Sequence, residues 1–93
     1  MYGIVTTKKY RKSLRRLSRL KDFKLKKLNE VIVTLQSGGS LPESCHDHQL
    51  NGYLQKFREC HVQPDVLLLY QKHNDLLILV LVNVGDHQEL FGN

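Results

Sequence analysis

Residues 66–85 read Val-Leu-Leu-Leu-Tyr-Gln-Lys-His-Asn-Asp-Leu-Leu-Ile-Leu-Val-Leu-Val-Asn-Val-Gly, and this stretch decides the fold. Residues 66–70 form a short apolar run, too short for an ordinary helix and right for a buried strand. Lys72, His73, Asn74 and Asp75 read as a polar hairpin turn, and residues 76–84 as a second, longer strand that Gly85 breaks. Working upstream, Gln63-Pro64-Asp65 is a turn, and residues 53–62 read as another strand. Alternation puts Gln55, Phe57, Glu59 and His61 on one face of that strand, and Leu54, Lys56, Arg58 and Cys60 on the other. Residues 40–51, with Pro42, read as a loop.

The first forty residues are of another kind. Residues 2–6 suit a short first strand, and Thr6 or Thr7 suits the N-cap of a helix. Tyr10, Leu14, Leu17 and Leu20 then recur on one helical stripe. Asp22 reads as the cap of a second helix, with Leu25, Leu28, Ile32 and Leu35 on its seam and Gly38-Gly39 at its end. The order β-α-α-β-β-β implies an α+β fold: a small antiparallel sheet of about four strands with an N-terminal helical hairpin packed on one face. Ninety-three residues make one domain, 1–93.

Charge is divided along the chain. Residues 1–30 carry eleven Lys and Arg against two acids, and residues 31–93 carry three against seven. Lys8, Lys9, Arg11, Lys12, Arg15, Arg16 and Arg19 surround the first helical stripe, a pattern suited to docking on a polyanion. The longest apolar run, residues 76–82, is far short of the roughly 20 residues that span a bilayer. Two cysteines with no secretory signal ahead of them fit a reducing, cytoplasmic setting.

The chemistry concentrates in residues 45–65, which hold three of the five histidines and both cysteines. Glu59 and His61 share a strand face, Asp65 is expected beside them across the turn, and His48 and His87 enter from neighbouring segments. Imidazoles beside carboxylates suit general acid–base work near neutral pH. RNA cleavage needs little more, because the substrate's own 2′-OH attacks and the enzyme moves two protons and steadies the phosphorane charge. His46 and His73 read as incidental. A zinc site drawn from Cys45, His48, Cys60 and His61 competes, but alternation sends Cys60 and His61 to opposite faces. No metal or cofactor is expected.

Several ordered motifs carry a resemblance: Asp47-His48-Gln-Leu-Asn-Gly52, Phe57-Arg58-Glu59-Cys60-His61-Val62-Gln63-Pro64-Asp65, Leu68-Leu69-Tyr70, and Gly85-Asp86-His87-Gln-Glu-Leu-Phe91. Their order and spacing resemble the YafQ-like branch of the RelE/ParE superfamily of toxins. The resemblance implies a RelE-like fold and a bacterial type II toxin, a metal-independent mRNA endoribonuclease acting in the ribosomal A site. It further implies a cognate antitoxin, with operator DNA bound only through the antitoxin complex. His48, His61, Asp65, His87 and Phe91 stand at family active-site positions, with Glu59 where an acid is found. Under this reading His48 is the general base, His87 the general acid, His61 with Asp65 orients the phosphate, and Phe91 stacks on a base. Arg58 and the helical cations are expected on the RNA. Asn83, where relatives often carry Arg, is expected there too. A gyrase-blocking toxin of the same superfamily and a basic nucleic-acid-binding module are the alternatives.

Overall fold

In the computed structural model, which describes residues 1–92, the chain runs β1(Gly3–Thr6), α1(Lys8–Leu17), α2(Leu25–Gln36), β2(His48–Gln49), β3(Arg58–Gln63), β4(Val66–His73), β5(Ile78–Gly85) and α3(His87–Phe91). The strands form one sheet in the order β1-β5-β4-β3-β2. The α+β class holds, but the sheet has five strands and is mixed, because β1 pairs parallel with β5. The additional strand, β2, is two exposed residues long, too short to show alternation in a sequence.

The main core lies on the helical face. Leu68, Tyr70, Leu79, Leu81 and Val84 pack there with Tyr10 and Leu17 of α1, and with Leu28, Val31 and Leu35 of α2. Leu28 and Leu68 are fully buried, so truncating either to Ala leaves a cavity costing about 2–5 kcal/mol. A smaller cluster on the opposite face joins Leu67, Leu69 and Leu90, with Leu50, Phe57, Val82 and Phe91 packed around it, and it seats α3.

Thr7 caps α1: its Oγ1 accepts from Tyr10 N at 2.9 Å, and the hydroxyl donates to Val82 O at 2.6 Å, fastening the helix to β5. The buried stripe is Tyr10, Ser13 and Leu17; Leu20 falls outside it because the helix ends at Leu17. At α2 the N-cap is Lys24, not Asp22, and no side chain of the segment caps it. Gln63 does so from β3, its Oε1 accepting from Lys24 N at 2.8 Å while Nε2 donates to Asp22 O at 3.0 Å. The strand expected over residues 53–62 begins only at Arg58, since Gly52–Leu54 forms a 3-10 turn with Gly52 at φ 65°. The β4–β5 turn falls later than expected, on residues 74–77, with β4 extending to His73.

Candidate active site

Opposite the helices, β3 presents Glu59 and His61, while Cys60 turns into the main core as alternation requires. Ladder partners stand side by side on one face, so pairing shows what surrounds them. His48 pairs with Glu59 and Glu59 with Leu69; His61 pairs with Leu67 and Leu67 with Gly85. The second row therefore runs from His61 to the start of α3, two strand spacings or roughly 10 Å away.

His48 Nε2 lies 3.6 Å from Glu59 Oε1, and its Nδ1 lies 2.7 Å from His46 O. A carbonyl oxygen only accepts, so Nδ1 carries hydrogen and Nε2 is the atom free to exchange a proton. Glu59 is buried, and its Oε2 has no hydrogen-bond partner among the described residues. An unpaired buried carboxylate oxygen costs free energy, so its retention asks for a use.

His61 meets a residue that sequence reasoning set aside. The His46 ring packs edge-on against it, with centroids 5.4 Å apart and planes at 72°. His46 has φ 48°, in the left-handed region that costs a non-glycine residue about 1 kcal/mol or more unless neighbours hold it. Its contact depends on that backbone turn, for which the sequence carries no spacing signal.

The facing wall is α3. His87 packs against Phe91 one helical turn away, with centroids 4.9 Å apart and planes tilted by 50°, and Leu90 and Phe91 rest on Leu67 and Leu69. The Asp86 carboxylate is committed to a capping box: it accepts from Glu89 N at 2.8 Å, while Glu89 Oε1 accepts from Asp86 N at 2.9 Å. A Cβ at Gly85 would lie 2.7 Å from Glu89 Oε1 and 3.2 Å from Glu89 Cβ, so glycine there makes room for the box.

Two expectations need correction. Asp65 is exposed, and no hydrogen bond or ion pair joins it to Glu59 or His61 among the described residues. A register shift between His61 and Gln63 displaces the turn, and Asp65 instead lines a small cleft with Lys21, Asp22, Asp86 and Glu89. Asn83, expected on the RNA, is withdrawn from the surface. Leu69 pairs with Asn83 but Tyr70 with Leu81, so Val82 is an extra, bulged residue. Asn83 is 2% exposed, its Oδ1 accepting from Ser13 Oγ at 2.6 Å and from Val84 N at 2.9 Å.

The family described as bacterial toxin of type II toxin–antitoxin system, YafQ, matches residues 2–92. The chain belongs to the YafQ toxin family. A metal-bound toxin from Helicobacter pylori is 43% identical with a TM-score of 0.89, the match covering 98% of this chain and 100% of that one. The Escherichia coli DinJ–YafQ complex contains a chain 25% identical with a TM-score of 0.86, covering 99% of this chain and 100% of that one. The mRNA interferase toxin YafQ of Escherichia coli K12 is 38% identical over 52 residues, 56% of this chain and 54% of that protein. The chain thus matches about half the length of that curated relative.

Relative to this YafQ-family framework, the cations sit differently from expectation. Lys8, Lys9, Arg11, Lys12, Arg15, Arg16 and Arg19 are all exposed, but α1 covers the sheet face opposite the histidines. Arg16 is paired with Glu89 of α3, and Arg11 donates to Thr6 O and Thr6 Oγ1 at 2.8 Å. Arg58 also turns from the histidine face: its Nε donates to Tyr70 Oη at 3.2 Å, and Nη2 lies 3.3 Å from Asp47 Oδ2. Burial works to lower the Arg58 pKa, but the bonds with Tyr70 and Asp47 outweigh it and hold the guanidinium above its ordinary value.

Among the described residues no three His, Cys, Asp or Glu side chains converge as metal ligands. Cys60 lies on the helical side, its thiol pushed up chiefly by burial, which disfavours the thiolate a metal would need. No described helix is long and apolar enough to cross a membrane.

Proposed function

We propose that this YafQ-family toxin is an mRNA endoribonuclease that cuts messenger on the ribosome by 2′-OH attack, using its own histidines and no metal. The observation that carries the reading is His48, with Nδ1 committed to His46 O and Nε2 facing the buried Glu59 carboxylate. Nε2 takes the 2′-OH proton as the oxygen attacks phosphorus, and the imidazolium so formed is steadied by Glu59. His46 and His61, packed together, offer ring N–H groups to the phosphorane oxygens. His87, on the facing wall, protonates the departing 5′-oxygen, leaving a 2′,3′-cyclic phosphate. Phe91 supports His87 and offers a stacking face to a base.

Cations behind the sheet suit a ribosomal partner better than the messenger being cut. A protein inside the A site is surrounded by RNA, so α1 holds ribosomal RNA phosphates while the opposite face holds messenger. This places the protein in the bacterial cytoplasm, and the DinJ–YafQ complex supports a cognate antitoxin as its partner. The test is induction in growing cells, with new 5′ ends mapped on messenger with translation running or blocked. Translation-dependent cuts lost in His48→Ala and His87→Ala are expected. Growth arrest with intact messenger would sink the reading. Toxin stripped by a chelator and desalted before assay is expected to keep its full rate.

A further inference from the structure

The arm carrying His46 and His48 has little of its own to hold it. β2 is two exposed residues, His46 occupies the left-handed region, and Glu43–Cys45 is a single 3-10 turn. Asp47, between the two histidines, is the exception. Its Oδ1 accepts from Tyr70 Oη at 2.6 Å, its Oδ2 faces Arg58 Nη2 at 3.3 Å, and Arg58 Nε donates to the same Tyr70 oxygen at 3.2 Å. The three groups close on one another. Tyr70 is fully buried in the main core, and Arg58 pairs with Tyr70 across the ladder, so the anchor stands on the paired strands β3 and β4.

Alternation along an edge strand sends neighbouring side chains to opposite sides of the sheet. Asp47 reaches toward the helical side, where Tyr70 lies, while His48 faces Glu59 on the other side. Fixing the Asp47 carboxylate therefore fixes where His48 stands and which way His46 turns toward His61. A partly buried charged pair is a weak source of stability, since desolvation offsets most of the attraction; its best-attested use is to set one arrangement over others.

We propose that Asp47, Tyr70 and Arg58 form a positioning device for His46 and His48, and that Arg58 is a positioning residue and not a contact to RNA. The inference rests on the nuclease reading above. Tyr70 delivers its hydroxyl to Asp47 from the core, Arg58 supplies the charge that keeps Asp47 there, and the arm is held in register from behind.

Tyr70→Phe removes one oxygen and keeps the buried ring. Cleavage of messenger on programmed ribosomes is expected to fall at least tenfold at saturation, with the half-saturating toxin concentration changed less than twofold. Asp47→Asn, which keeps an oxygen for Tyr70, is expected to lose less than Asp47→Ala. Amide exchange of the purified protein gives a readout independent of catalysis. In Tyr70→Phe, residues 48–50 are expected to exchange at least tenfold faster while β4 and β5 amides stay protected. Unchanged exchange in the arm, or a full saturating rate in Tyr70→Phe, would overturn the proposal. A wild-type protein that cuts nothing while the arm still loosens would count against the nuclease reading alone.

Discussion

The polar contacts that fix the wall carrying His87 come mostly from its own neighbours in sequence, whereas those that fix the wall carrying His46 and His48 come from across the sheet. On the α3 side, Gly85, Asp86 and Glu89 build the capping box within five positions, and Arg16 adds one long-range pair. On the arm side, Asp47 depends on Arg58 and Tyr70, eleven and twenty-three positions away. A local cap does not depend on distant polar partners. A remotely held arm transmits core changes straight to the chemistry.

The largest effects belong to the histidines themselves. His48→Ala and His87→Ala are each expected to lower the single-turnover rate by about 10²–10⁴-fold, the usual worth of a positioned proton-transfer group. Because both act in one displacement, the double variant is expected to fall well short of the product of the single losses. Full multiplication would mean that the two walls work separately.

Gly85→Ala probes the local wall. Its new Cβ displaces Glu89 and opens the capping box, at a cost of about 1–2 kcal/mol by urea unfolding. If the clash with the Glu89 carboxylate is the main cause, Gly85→Ala costs less in the Glu89→Ala background than in the wild type.

The core behind the remote wall has an alkaline signature. Burial pushes up the Cys60 thiol, and pushes up the Tyr70 phenol with further help from its bond to Asp47. Both groups are neutral when protonated, so a raised folded value means stability is fully present below the unfolded value and is lost as pH climbs above it. Unfolding free energy is thus expected to start falling above about pH 8.5, near the ordinary thiol value, at up to about 1.4 kcal/mol per pH unit for each titrating group. Cys60→Ala is expected to flatten the first part of that fall. A flat profile to pH 10 would show that these groups are not held neutral by the fold.

The smallest effect is expected at the ion pair between α1 and α3. Arg16→Ala removes a pair exposed on the Arg16 side, and a stability change of about 1 kcal/mol or less is expected by thermal unfolding. A larger loss would mean that α3 is not mainly self-supporting.

The helical face was legible because burial there follows period: Tyr10, Leu17, Leu28 and Leu35 recur as a helix must, and Leu68 and Tyr70 as a strand must. Glu59 and His61 were legible for the same reason. Asp65 and Asn83 were misplaced because each lies beside a register shift, and one extra residue redirects a side chain without altering any local pattern. Gln63 capping α2 from β3, and Asp47 reaching Tyr70, are contacts between distant segments. His46 was missed because its turn into the site is a backbone event. The cations of α1 were legible as a basic surface, but not as one facing away from the histidines.

The central claim is that the substrate supplies the nucleophile and His48 and His87 move the protons. It is tested most directly with a ribosome-bound messenger carrying a single 2′-deoxy nucleotide immediately 5′ of the cut. The all-ribose messenger is expected to give a 2′,3′-cyclic phosphate end, and the deoxy messenger no cut at that position. Cleavage of the deoxy messenger at the ribose rate would contradict attack by the 2′-OH.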